Sequence, residues 1–276
     1  MADALDLAAY ARRIGFQGKF KPDLVNLREL VRAHVTQIPF ENLDVLLGKP
    51  ILLTPSALEE KIVHRRRGGY CFENNGCMLQ VLEQIGFDVT PLAGRVRLGA
   101  PADAITPRTH IFMKVVIDDE AWLVDVSVGG LSLTSPIRFE LDIEQPTDHE
   151  PRRIIQQGTR SFHQYLGSDG WLDVYEFGGD EMPLVDRQVG NWWTSTHPET
   201  KFRNNLFVAL AQADGTRYGI LNNRFTHRRG PDVLSESTIE SPGQLEDLLE
   251  ARFGLSNHTA EELDIYFAIS TKHLTN

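Results

Sequence analysis

Cysteine is nearly absent from this sequence: Cys71 and Cys77 are the only two in 276 residues, too few for a disulfide framework. On one continuous helix their six-residue separation is a rise of about 9 Å, beyond disulfide reach. This points to a reducing compartment, with the cytoplasm as the expected location. Long apolar runs are missing too; none approaches the roughly 20 residues that span a bilayer. The opening MADALDLAAYARRIGF lacks the basic-then-apolar order of a secretory leader and reads as a short amphipathic helix. There is no CxxC pair, no HExxH and no histidine pair at i, i+4, so no metal site is expected. A Walker A loop and a GxGxxG fingerprint are absent, which leaves ATP and dinucleotide chemistry without support. Positive charge is in deficit. With 28 Lys and Arg against 38 Asp and Glu the formal net charge is −10, which argues against nucleic acid or an anionic membrane as partner.

The composition that remains is that of an ordinary globular protein, long enough for two or three compact units. Leu24, Leu27, Val31 and Val35 follow Pro22 and Asp23 at helical spacing and stop before Pro39. Met78, Val81, Leu82 and Ile85 repeat the pattern, with Gly86 placed to end a helix that begins near Cys71. From Asp88 the texture changes. VTPLAGRVRL, HIFMKVVI, AWLVDVSV, FHQYLG and WLDVYEF read as strands of an antiparallel sheet or small barrel. After Phe202, LFVAL and TRYGIL predict a hairpin around Ala213–Gly215, followed by helices. One runs from Ser241 and Pro242 to Gly254, and another is opened by the capping pair Thr259 and Glu262. The expected organisation is three lobes: helical over 1–87, β over 88–201 and mixed α/β over 202–276.

The stretch HRRRGGYCFENN, His64 to Asn75, holds three arginines, two glycines and one of the two cysteines. An Arg-Gly-Gly string can be an RNA contact, but the net charge and its place between two helices weigh against that. Gly68 and Gly69 permit positive φ and an abrupt turn. A cysteine just after that turn, at a helix start, meets unpaired amides and the positive end of the helix dipole, which favour thiolate. Cys71 therefore reads either as a nucleophile or as a small buried residue; Cys77 has no such setting and reads as core.

A thiol nucleophile needs a base. His64 lies in a charged run, and His149, His197, His258 and His273 lie in polar loops or near the terminus. His110 opens the strand HIFMKVVI, and Asp125 lies within the next, AWLVDVSV. A two-residue loop at Asp118 and Asp119 pairs Ile117 with Glu120 and sets Asp125 opposite Phe112. His110 and Asp125 then share a face at a diagonal spacing of roughly 7–8 Å; one residue more in the loop would put them on opposite faces. A buried aspartate needs hydrogen bonds. An imidazole directing Nδ1–H at Asp125 would supply one and leave Nε2 for the thiol proton. The alternative is a water-facing Asp125 on an edge strand.

RGGYCFENN, THIFMKV and LVDVSVGG, together with IPFENLD at 38–44, resemble the arylamine N-acetyltransferases, in order and spacing, over nearly the whole chain. The resemblance implies an α+β fold of a helical bundle, a central antiparallel β-barrel and a C-terminal α/β lid around a cysteine-protease-like catalytic core. It implies a Cys71–His110–Asp125 triad, acetyl-CoA as co-substrate, and ping-pong transfer to an arylamine, arylhydrazine or similar amine. It also implies an ion pair of Arg67 with Glu41, an acceptor pocket lined by Phe40 and Phe202, and a coenzyme cleft bordered by Thr109, Gly129 and Gly130. The sequence departs from the family at Ser127-Val128, where many members carry Gly-Phe. Two other chemistries suit the same three residues: thiol hydrolysis, and amide synthesis from a carrier-bound acyl chain by relatives that form macrolactams. The arginines of NNRFTHRRG read as a solvated loop.

Overall fold

The computed structural model describes residues 4–101 and 103–272; His273 lies outside them. Side-chain caps open the first helices. Asp6 accepts the amides of Ala8 and Ala9 in the helix Leu7–Ile14, and Asp23 accepts that of Asn26 in Leu24–Gln37. Ile38 is extended, as the residue before a proline prefers, and ends the second helix. The helix Cys71–Ile85 closes on Gly86, whose φ of 99° only glycine adopts without strain.

Among the described residues twelve strands follow one another: β1 (Phe40–Glu41), β2 (Asp88–Val96), β3 (His110–Ile117), β4 (Glu120–Val124), β5 (Ile137–Arg138), β6 (Arg152–Gln157), β7 (Arg160–Gly167), β8 (Gly170–Glu181), β9 (Phe207–Ala211), β10 (Thr216–Leu221), β11 (Arg224–Arg229) and β12 (Asp232–Thr238). Seven form an antiparallel sheet in the order β5-β4-β3-β2-β8-β7-β6. Bridges from Leu141 to Ile154 and from Gln145 to Arg152 bring its two ends together, so the sheet is a nearly closed barrel. The HIFMKVVI run is apolar on both faces for a physical reason. Phe112 points into the barrel core with Leu92, Leu123 and Phe177, while Met113, Val115 and Ile117 join the helical core with Leu27, Val31, Met78 and Leu82.

The remaining strands form a second sheet, β1-β9-β10-β11-β12. Val208, Ile220 and Phe225 pack its inner face on the helices Pro242–Phe253 and Ala260–Thr271. Thr259 and Glu262 exchange the expected reciprocal bonds, at 3.1 and 3.2 Å. β1 comes from the first third of the chain and pairs with β9, which carries Phe40 to the junction between the helices, the barrel and the last sheet.

Three features depart from the sequence reading. β11 and β12 lie between the β9–β10 hairpin and the C-terminal helices, so NNRFTHRRG is a strand and not a solvated loop. Arg224, Thr226 and Arg228 alternate with Phe225 and His227, a period obscured by the polar residues on the face opposite Phe225. The helix Leu184–Thr196 departs from the sequence reading because Val185, Val189 and Trp192 are exposed, so its apolar pattern does not report its buried side. β6 was also missed. Among the described residues no helix is long and apolar enough to cross a membrane.

Candidate active site

The turn before Cys71 forms for a different reason than positive φ. Neither glycine has it; the left-handed residue is Arg66, at φ 52°. The glycines are required by close approach, because a Cβ on Gly68 would lie 1.9 Å from the Pro39 carbonyl oxygen and one on Gly69 2.6 Å from the Glu73 Cβ. Asn74 ties the same segments together by donating to the carbonyls of Pro39 and Gly69. The chain thus passes under β1 and delivers Cys71 to the first position of its helix, where Glu73 accepts the Tyr70 amide at 3.1 Å.

A buried ion cluster braces this turn. Arg67 bonds Glu41 at 2.8 and 3.1 Å, the pair implied by the resemblance. Lys61 joins it, 2.8 Å from Asp44 and 2.6 Å from Glu73. Burial opposes ionisation of Asp44, yet Lys61 and Arg67 hold its carboxyl down at about 2. Arg65 and Arg66 are exposed, so of the three arginines only Arg67 is part of this cluster.

Cys71, His110 and Asp125 come together from the helix, the start of β3 and the residue just past the end of β4. The hairpin has the expected register, with Ile117 opposite Glu120 and left-handed Asp118 and Asp119 in the loop. β4 ends at Val124, one residue short of Asp125. His110 Nε2 lies 2.8 Å from Asp125 Oδ2, so the ring is turned opposite to the expectation. The Cys71 Sγ lies 3.6 Å from the carbonyl of Thr109, the residue preceding His110. The thiol is therefore near the base of the ring, where Nδ1 is, and the tip spans the diagonal gap to the carboxylate.

All three groups are buried, with His110 2 % and Asp125 0 % exposed. Burial alone would keep the imidazole neutral. The Asp125 charge and hydrogen bond, with the Cys71 thiol, outweigh it and raise the His110 pKa to about 10. For Asp125, burial favours protonation, but His110, Asn75 and the Ser127 amide hold it below the usual carboxylate range. Asn75 donates to Asp125 Oδ1 at 2.8 Å and to the Ile111 carbonyl at 2.7 Å, and it accepts the Val126 amide. Its place four residues after Cys71, on the same helix face, was the signal that could have revealed it. The His110 ring packs on Tyr175 with centroids 4.9 Å apart. Cys77 is buried and free, its thiol pushed up to about 12 by burial.

Phe40, Gly129 and Gly130 line one cleft of about 300 Å³ together with Phe207, Arg224 and Arg228. Phe40 also belongs to the apolar cluster that contains Cys71 and against which Phe202 packs. Phe202 contacts Phe40, Tyr70 and Phe207 and is not itself on the cleft wall. Thr109 sits at the thiol and not on that wall either. Val128 is buried in the barrel core. Among the described residues no group of His, Cys, Asp and Glu is arranged to hold a metal ion.

A cysteine at a helix start, with a histidine–aspartate pair on a neighbouring strand, is an arrangement suited to passing acyl groups through a thiol. A model of the N-acetyltransferase family matches residues 23–261, and the chain belongs to the arylamine N-acetyltransferases, a family of acyltransferases. It is 42 % identical to the arylamine N-acetyltransferase of Mycolicibacterium smegmatis, over 91 % of this chain and 92 % of that one. The arylamine N-acetyltransferase / N-hydroxyarylamine O-acetyltransferase of Salmonella typhimurium is 39 % identical, over 90 % and 88 %. Among solved structures, that of Mycobacterium marinum arylamine N-acetyltransferase in complex with CoA superposes with a TM-score of 0.90 at 37 % identity, over 97 % of this chain and 99 % of that one.

Proposed function

We propose that this protein transfers an acetyl group from acetyl-CoA to an arylamine, arylhydrazine or similar amine through an acetyl-Cys71 intermediate. The observation that carries this reading is the buried Cys71 thiol beside His110, whose Nε2 meets the buried Asp125 carboxylate at 2.8 Å. The Cys71 thiolate attacks the thioester carbonyl carbon, and the developing oxyanion is met by the free amide at the helix start. Coenzyme A leaves as a thiolate and takes the proton of the His110 imidazolium. Having given up that proton, the ring is a neutral base for the second half-reaction. The amine nitrogen attacks the acetyl-enzyme and His110 accepts its proton while the carbon–sulfur bond breaks. Cys71 leaves as thiolate beside a re-formed imidazolium, and the cycle closes with atoms and charge balanced. Asp125 orients the ring and stabilises its positive charge.

Phe40 and Phe202 would face the aromatic acceptor, and Gly129, Gly130 and Thr109 the coenzyme. The lobes would be 1–87, 88–201 and 202–276, and the setting the cytoplasm, with small-molecule partners and neither nucleic acid nor membrane. Two free cysteines and the net charge of −10 support that setting. Initial velocities with acetyl-CoA and a simple arylamine are expected to give parallel double-reciprocal lines. Intersecting lines would remove the covalent route. No turnover of acetyl-CoA by an enzyme whose thiol still reacts would point to a carrier-bound acyl donor.

A further inference from the structure

One carboxylate, Glu150, stands among three guanidinium groups behind the wall of the cleft, which Arg228 alone of the four lines. Its oxygens lie 3.1 Å from Arg152 Nη2 and 2.9 and 2.8 Å from Arg217 Nε and Nη2, with Arg228 Nη1 at 3.9 Å. Each arginine also donates to a different main-chain carbonyl of one turn. Arg228 Nη2 holds that of Gly130, Arg152 Nη2 that of Leu131 at 2.9 Å, and Arg217 Nη2 that of Ser132 at 3.0 Å. Three consecutive carbonyls are thus gripped by three arginines gathered on one acid. The arginines come from β6, β10 and β11, so the cluster joins the barrel and the last sheet at the turn that follows Asp125. Gly129, Gly130 and Arg228 line the cleft itself.

Stability alone does not account for this arrangement. Glu150, Arg152 and Arg217 are all at most 2 % exposed, and desolvating so many charges offsets most of their mutual attraction. The charges do not cancel either, since three guanidinium groups face one carboxylate. Burial pulls the Arg152 pKa down to about 10, which still leaves it charged at neutral pH. The neighbouring His149 adds no charge, because burial and Arg217 hold its pKa at about 4. In a chain of net charge −10, a local surplus of positive charge therefore stands behind the cleft wall and reaches it at Arg228. A phosphate-bearing acyl donor complements such a wall, whereas a small neutral ester gains nothing from it.

We propose that Glu150, Arg152, Arg217 and Arg228 are positioning residues for the donor: they fix the Gly129–Ser132 turn as one wall of the cleft and give it the charge that selects a coenzyme thioester over a small acyl ester. This rests on acetyl-CoA being the donor. The test is the rate of Cys71 acetylation, read by intact mass, with acetyl-CoA and separately with p-nitrophenyl acetate. Arg228 is the residue to change, since its side chain is 24 % exposed and its loss leaves the buried Glu150–Arg217 pair in place. Arg228→Ala should lower the second-order rate with acetyl-CoA by about ten-fold or more, and Arg228→Lys by less, because it restores the charge without the fork. With p-nitrophenyl acetate both variants should stay within about two-fold of the parent. Equal losses with both donors, or no loss with acetyl-CoA, would overturn the proposal. If the parent protein reacts with the ester and not with acetyl-CoA, the donor assignment fails and the proposal falls with it.

Discussion

Cys71→Ala is expected to abolish acetyl transfer, by at least about 10⁴-fold, and to leave the fold intact. The thiol makes a long contact of 3.6 Å to the Thr109 carbonyl and interacts with the His110 ring. Removing one sulfur atom there should cost no more than about 1 kcal/mol. No other thiol can stand in. Cys77 is fully buried, and its pKa of about 12 keeps it protonated. Transfer rate and thermal midpoint measured on the same preparation check both halves. A variant keeping more than a few per cent of the parent rate would remove Cys71 from the reaction.

Asp125→Asn should give a folded enzyme slowed by about 10⁴-fold, the scale seen when a triad aspartate is replaced by its amide. The amide keeps the shape but not the charge that raises the His110 pKa to about 10. The imidazole would then rest neutral and without a fixed orientation. The stability profile should change along with the rate. A histidine pKa raised on folding contributes stability that is complete below its unfolded value, near 6.5, and is lost as pH rises through the folded value. Asp125, held low, contributes stability above its own unfolded value that is lost only in acid. The urea midpoint of the parent should therefore fall between pH 7 and 10 more steeply than that of Asp125→Asn. Parallel slopes would mean that the pair is not charged as described, and preserved turnover would deny Asp125 its orienting role.

Much of this site is legible in the sequence because it rests on local rules. The two-residue Asp118–Asp119 loop fixes the β3–β4 register, and that register places His110 and Asp125 on one face. The helix start at Cys71 follows from a glycine turn and an apolar repeat. What the sequence does not display depends on contacts distant along the chain. Which nitrogen of His110 meets Asp125 is decided by where Cys71 docks, beside Thr109, 38 residues away. The demand for glycine at 68 comes from Pro39, 29 residues earlier, and holds whatever the φ. β11 was hidden because its face opposite Phe225 carries Arg224, Thr226 and Arg228, residues that read as loop until Glu150 and the Gly130 carbonyl are seen to bind Arg228. The helix Leu184–Thr196 misled in the other direction, by exposing its apolar residues.

Passage of the acetyl group through Cys71 is visible by intact-mass spectrometry. On mixing with acetyl-CoA the protein should gain one acetyl group, located to Cys71 by peptide mapping, and lose it only when an arylamine is added. A protein that stays unmodified while acetylarylamine forms, or an adduct on Cys71 that the amine does not discharge, would contradict the account.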